Sequence, residues 1–257
     1  MRWKAIGESV IGSSHTKSGR PCEDRIRFAI VPTAAGAEAL VCCISDGAGS
    51  AGYAAEAAEY VTHRGFELLS AKLLAEPDMT EAFLFDTAEK LYDGLKARAQ
   101  EKGTEINEFS CTLLGCVLLD EQAAFFQIGD GAIARNDGSG YYTPVWLPHN
   151  GEYQNTTAFL IDDSNFPYFN TMILHEPVSE VAIFTDGLQM LTMNREAGCM
   201  HQPFFTGLFK WLRIVETPDE QAVLQQKLSS YLGSDLINNR TDDDKTLFLA
   251  TSIKHDR

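Results

Sequence analysis

The stretch Cys111–Arg135 reads CTLLGCVLLDEQAAFFQIGDGAIAR: three apolar runs, Cys111–Leu119, Ala123–Ile128 and Ala132–Arg135, separated only by Asp120–Gln122 and Gly129–Gly131. Short runs rich in apolar and aromatic residues and bounded by turn residues read as strands. A parallel pair needs a crossover of roughly a dozen residues or more, for which neither gap has room. Antiparallel pairing follows. Further runs at Tyr141–Val145, Thr157–Ile161, Thr171–Leu174 and Val181–Phe184 extend the pattern.

Upstream, Trp3–Val10 alternates as a half-buried strand does, and the polar segment Gly12–Asp24, with Gly19 and Pro21, reads as a loop. Strands are expected over Arg25–Val31 and Ala39–Ser45, after which SDGAGSAG interrupts the apolar run and a helix begins near Ala51. Ala54, Ala55, Ala58, Val61, Phe66 and Leu69 give that helix an apolar face. A second helix over Thr80–Gln100 shares Phe83, Leu84, Thr87, Leu91 and Leu95 on one side. Downstream, Gln202–Tyr231 is helical with a break near Thr217 and Pro218, and Thr246–Ile253 is a closing strand. The expected fold is α+β, a central antiparallel β-sandwich flanked on both faces by helices, in one domain spanning 1–257 without repeats or a long linker.

The chain has 257 residues, 44% hydrophobic and 22% charged, enough for a substantial core. Its net charge of -15 repels polyphosphate backbones and anionic lipid, so neither nucleic acid nor membrane is an expected partner. Six cysteines, Cys22, Cys42, Cys43, Cys111, Cys116 and Cys199, form no C-x-x-C pair and several lie in apolar runs, as reduced cytosolic thiols do. The opening MRWKAIGESV has no apolar signal core, which points to a cytoplasmic protein.

Acidic residues stand at the ends of the apolar strands. Asp46 follows ALVCCIS, Asp130 follows FFQIG, Asp186 follows VAIFT, Asp244 precedes TLFLA, and Glu23 and Asp24 precede RIRFAIV. One such acid is commonly a turn former or helix cap. Their recurrence suggests oxygen-only ligation of a hard divalent cation. Gly47, Gly131 and Gly187 directly follow three of them, which allows a cation to approach the backbone. The six histidines show no H-x-x-x-H spacing, which disfavours zinc. GAGSAG at Gly47–Gly52 matches a dinucleotide-binding fingerprint, but Asp46 would set a carboxylate beside the pyrophosphate. The alternating helices of a parallel sheet are also missing after Phe109.

Taken together and in order, GRPCEDR, CISDGAGS, SCTLLGCVL, FQIGDGAIA, IFTDGL and DDDKTLFLA, spanning Gly19 to Ala250, resemble the metal-dependent serine/threonine phosphatases of type 2C, the PPM family. SDGAGS and NGEYQNTTAFL, Asn150–Leu160, look most like a bacterial subgroup of stand-alone phosphatases. The resemblance implies two Mn2+ or Mg2+ ions per chain, with a third, weaker site. Asp46 would bridge both ions with the Gly47 carbonyl on one of them, and Asp186 and Asp244 would complete the other. Glu23 and Asp24 would bind directly or through waters, and Asp130 would hold the third ion. Asp243 is the fallback if the last motif shifts by one residue. Arg20 would grip substrate phosphate, although it stands three residues before Glu23 where animal relatives have four. Ala48 occupies the place of a histidine proposed as general acid in those relatives, and Met190 that of a common acid. His15 is a conceivable substitute or a plain loop histidine.

The reaction this implies is direct attack of metal-bound water on phosphoserine or phosphothreonine, without a phosphoenzyme. Accelerations reach roughly 10^21 for phosphate monoesters, whereas a general acid or base supplies only about 10^2–10^4, so charge neutralisation by metals must dominate. The absence of C-x5-R argues against a cysteine phosphatase. A phosphorylated protein, a monomeric state and an opposing serine/threonine kinase are the expectations for partners. A pseudophosphatase that only binds phosphoproteins, and a hydrolase of small phosphorylated metabolites, are the alternatives.

Overall fold

The computed structural model describes residues 2–146, 157–162, 166–176, 178–194 and 197–253. In chain order the elements are β1 (Arg2–Val10), α1 (Ser13–Ser18), β2 (Asp24–Pro32), β3 (Glu38–Asp46), α2 (Ala54–Ala75) and α3 (Glu81–Lys102). Strands β4 (Leu113–Leu118), β5 (Ala123–Ile128), β6 (Ala132–Asn136), β7 (Thr143–Pro144), β8 (Asn170–Leu174) and β9 (Glu180–Phe184) follow. The chain ends with α4 (Gln189–Thr192), β10 (Met193–Asn194), β11 (Cys199–Met200), α5 (Gln202–Ile214), α6 (Pro218–Leu232), α7 (Asp235–Asn238) and β12 (Lys245–Ile253). Contacts cluster into two compact units, one of Met1–Cys22, Gly131–Thr156 and Val178–Arg257, the other of Glu23–Asp130 and Thr157–Pro177.

The second unit holds a five-stranded sheet in the order β2-β3-β4-β5-β8, antiparallel throughout. Helices α2 and α3 cover one side of it. Ala39, Val41 and Cys43 of β3 join Val61, Leu69 and Leu73 of α2 and Leu84, Leu91 and Leu95 of α3 in one buried cluster. Leu40, Cys42 and Ile44, alternating with them, are equally buried. A strand buried on both faces reads as a continuous apolar run, which is the form of ALVCCIS. Thr80 starts α3 by accepting from the Phe83 amide at 3.2 Å.

The first unit holds the order β1-β12-β9-β6-β7, also antiparallel. Phe205, Phe209 and Leu212 of α5 and Leu228 and Leu232 of α6 pack with Ile6, Ala182, Phe184, Leu247 and Leu249 of the sheet. Thr217 and Glu220 form a reciprocal capping box at the start of α6 with Pro218 in its first turn, so the helical break falls where the sequence puts it.

Three local expectations change. Gly12–Asp24 is not all loop: α1 closes on Gly19 at φ 71°. Thr157–Ile161 is not a strand. Leu160 and Ile161 are buried, but Leu160 makes one backbone bond to the Cys111 carbonyl at 2.9 Å, and the Asp162 carboxylate accepts from the Phe159 amide at 2.7 Å, turning the chain. Tyr141–Val145 contracts to the two residues of β7. Among the described residues, no helix is long and apolar enough to cross a membrane.

Candidate functional site

In the second unit, Asp46 is the last residue of β3 and Asp24 the first of β2, and the two are direct register partners. Asp24 is fully buried and Glu23 nearly so. The backbone of Asp46 is fixed from both sides: its amide donates to Thr112 Oγ1 at 2.9 Å and its carbonyl accepts from the Thr112 amide at 2.8 Å. The Gly47 amide donates to the Glu23 carbonyl at 3.2 Å, tying the two acidic segments together. Asp130 lies just past the end of β5, and Thr157 Oγ1 donates to its Oδ2 at 2.5 Å. Asp46 and Asp130 each offer a carboxylate oxygen within 4.8 Å of the other. Like charges this close repel by on the order of 3 kcal/mol at an effective dielectric of about 20, and a divalent cation between them reverses the sign.

In the first unit, Asp186 opens a 3-10 turn directly after β9. That turn lies against the start of β12, because a Cβ on Gly187 would stand 2.0 Å from the Asp244 carbonyl oxygen. The Thr246 amide donates to Thr185 Oγ1 at 3.0 Å, locking the same strand ends. Asp244 is buried, with Oδ1 accepting from the Gly12 amide at 2.6 Å and Oδ2 2.9 Å from His15 Nδ1. Asp243, the fallback ligand, is exposed and uses Oδ1 to accept from the Asp244 amide at 2.8 Å, as a turn former does.

The remaining candidates are placed as follows. Arg20 is half-buried just beyond α1, where its amide donates to the His15 carbonyl at 2.9 Å. Ala48 is buried in an apolar patch with Ala51, Ala54 and Phe159, and offers no proton donor. Met190 is 81% exposed. Residues 150–156 of the NGEYQNTTAFL motif lie outside the described residues. Sequence reasoning missed Thr112, Thr157, Gly12 and Lys245. The first two are ordinary hydroxyl residues in sequence, and only tertiary structure brings them to an aspartate. Lys245 is fully buried, its ammonium directed at the carbonyls of Ile11 and Asp243 and at Asn238 Oδ1.

Each unit thus presents carboxylates at strand ends, with Thr157 donating to Asp130 in one and Gly12 and His15 paired with Asp244 in the other. All-oxygen donor sets of this kind fit Mg2+ or Mn2+.

The family model described as "Protein phosphatase 2C" matches residues 11–233. Serine/threonine-protein phosphatase 3 of Escherichia coli (strain K12) is 32% identical over 251 residues, covering 97% of this chain and 98% of that protein. Among solved structures, the serine/threonine phosphatase Stp1 from Staphylococcus aureus superposes with a TM-score of 0.63 at 16% identity, over 99% of this chain and 96% of that one. The catalytic domain of the serine threonine protein phosphatase PstP, solved in complex with 2 manganese ions, superposes with a TM-score of 0.61 at 14% identity, over 98% and 99%. These likenesses bear out the expected fold class.

Proposed function

The chain belongs to the protein phosphatase 2C family, and on that premise we propose that it hydrolyses phosphoserine and phosphothreonine in phosphorylated proteins using two Mn2+ or Mg2+ ions. Residues 1–257 act as one phosphatase domain, a reading supported by the family match over residues 11–233 and by the near-complete mutual coverage with the Escherichia coli relative.

Asp46 would be shared by the two ions, and the Gly47 carbonyl would contribute to holding one of them. Asp186 and Asp244 would hold the other, with Glu23 and Asp24 binding directly or through water and Asp130 holding a weaker third. When bound, the ions lower the pKa of water, orient it for in-line attack and neutralise the phosphoryl oxygens. The protein's own part is to keep these carboxylates fixed. Thr112 holds Asp46 through its backbone, Thr157 holds Asp130, and Gly12 and His15 hold Asp244. Arg20 offers a planar fork for two phosphate oxygens. Ala48 donates no proton, so the leaving alkoxide takes its proton from water or from another residue.

The observation that carries this reading is the Asp46–Asp130 pair, two carboxylates kept within 4.8 Å of each other by the fold. The enzyme opposes a serine/threonine kinase in cytoplasmic signalling, as a monomer. The test is phosphate release from a phosphothreonine peptide by EDTA-treated protein, with and without millimolar Mn2+ or Mg2+, with Asp46→Asn in parallel. Mn2+-dependent turnover lost in the variant is expected. A folded protein inactive with either metal, on peptide and on p-nitrophenyl phosphate alike, would favour a pseudophosphatase.

A further inference from the structure

We propose that His15 is a positioning residue for Asp244, orienting its carboxylate for the cation; this rests on the metallophosphatase reading above. His15 sits on α1, a six-residue helix without apolar periodicity, and yet it is only 9% exposed. Its Nδ1 stands 2.9 Å from Asp244 Oδ2, while the Gly12 amide donates to Oδ1 at 2.6 Å. Each Asp244 oxygen is thus held by a group from residues 12–15, and rotation of the carboxylate about its own axis breaks both bonds. A carboxylate oxygen has two lone pairs, so the same oxygen can accept a hydrogen bond and ligate a cation.

The donors are themselves fixed. The Ser14 amide and Oγ both donate to the Asp242 carbonyl, at 2.9 and 2.7 Å, holding α1 against the loop before β12. The buried Lys245 ammonium joins the Ile11 carbonyl at 3.4 Å to the Asp243 carbonyl at 3.1 Å. At Gly12 a Cβ would lie 2.3 Å from the Asp243 carbonyl carbon, so only glycine lets residues 11–15 approach this closely. Short, aperiodic α1 thus serves as a clasp for residues 242–245. His15 supplies a side-chain donor of that clasp that reaches a carboxylate expected to bind metal. The ring has only two side-chain torsions, and burial restricts both, so its donor stays where Asp244 needs it.

The experiment uses the full chain stripped with EDTA, titrated with Mn2+ by isothermal calorimetry, in wild type, His15→Asn and His15→Leu. Asn keeps a donor near the place of Nδ1, whereas Leu has nearly the same shape and none. Loss of a residue that orients a metal ligand weakens metal binding by about 10- to 100-fold, so His15→Leu should bind Mn2+ at least about tenfold more weakly and His15→Asn should recover most of the affinity. The Mn2+ concentration for half-maximal phosphate release should rise in parallel. Equal Mn2+ affinity in wild type and His15→Leu, with only a lower melting temperature of the metal-free chain, would assign His15 a structural role and overturn the proposal. Wild type that is folded but binds no Mn2+ would instead sink the metallophosphatase reading, and this inference with it. Should His15→Leu not fold, His15→Ala takes its place in the same comparison.

Discussion

Asp24 and Asp46 stand opposite each other on the last rung of the β2–β3 ladder, two carboxylates where an antiparallel pair ordinarily places attractive or neutral partners. Asp130 brings a third carboxylate within 4.8 Å of Asp46. Without a cation this cluster opposes folding, and with one it favours it. Asp46→Asn should therefore stabilise the metal-free chain, by about 1–3 kcal/mol, the upper figure being the Coulomb repulsion of one such pair at an effective dielectric of about 20. Excess Mn2+ should add about 2.7 kcal/mol to wild type at a hundredfold over Kd, and little to the variant. Thermal melts in EDTA and in Mn2+ check both signs, and a variant less stable than wild type in EDTA contradicts the argument.

The turn that carries Asp186 has no space to spare. A methyl group on Gly187 would meet the Asp244 carbonyl oxygen at 2.0 Å and the Asp243 Cβ at 3.5 Å, so Gly187→Ala must push apart two segments that each bear a proposed ligand. The expected cost is about 1–3 kcal/mol of stability, as for other overpacked sites. Phosphatase activity at a temperature where the variant is still folded should fall further than that population loss explains. Urea denaturation together with phosphate release at 25 °C separates the two effects.

How far these features could be read from sequence depends on how local their causes are. The strand ends bearing Asp46, Asp130 and Asp186 are legible because an apolar run stops abruptly at Asp-Gly. The break at Thr217 and Pro218 is legible because the whole capping box is local. Thr157–Ile161 misleads because Leu160 and Ile161 are buried like strand residues, while the Leu160 amide bonds to the Cys111 carbonyl outside any ladder. Helix α2 starts at Ala54, later than the expected Ala51, since Tyr53 is still outside the helix, stacked on Phe109 with centroids 4.9 Å apart. His15, Lys245 and Thr157 owe their roles to partners 229, 234 and 27 residues away, and no local pattern encodes such distances.

Away from the acidic strand ends, Glu180 on β9 is tied to α5 by a forked pair: Arg213 Nε and Nη2 each donate to one of its oxygens at 2.8 Å. The Tyr142 hydroxyl donates to the same carboxylate at 2.6 Å and Thr251 Oγ1 at 3.1 Å. Burial, followed by the hydrogen bond to Glu180, holds the Tyr142 phenol well above its usual value. Removing one partner of a buried pair costs about 3–5 kcal/mol. Arg213 is 45% exposed and the other donors remain, so Arg213→Ala should cost less. About 2 kcal/mol is expected in urea denaturation, on the scale of a charged hydrogen bond, with peptide phosphatase activity at 25 °C unchanged.

The thiols should make stability fall steeply in alkali. Cys42, Cys43, Cys111 and Cys116 are fully buried, and burial is the first cause pushing all four above the ordinary thiol value, Cys111 to about 12. In the unfolded chain each ionises near 8.5. Between those values the unfolded state has released protons that the folded state keeps, so the slope of unfolding free energy with pH is negative. The stability these neutral thiols contribute is full below about pH 8.5 and is lost as pH rises toward the folded values, at up to about 1.4 kcal/mol per thiol per pH unit. Urea midpoints should therefore be level from pH 7 to 8 and drop between pH 9 and 10. Cys43→Ala and Cys116→Ala, each less stable at pH 7, should show a shallower drop. At neutral pH a thiol-specific disulfide reagent should modify exposed Cys199 first and half-buried Cys22 more slowly, reaching the other four only in denaturant. A steep alkaline loss with no change of slope in either alanine variant would place its origin outside these thiols.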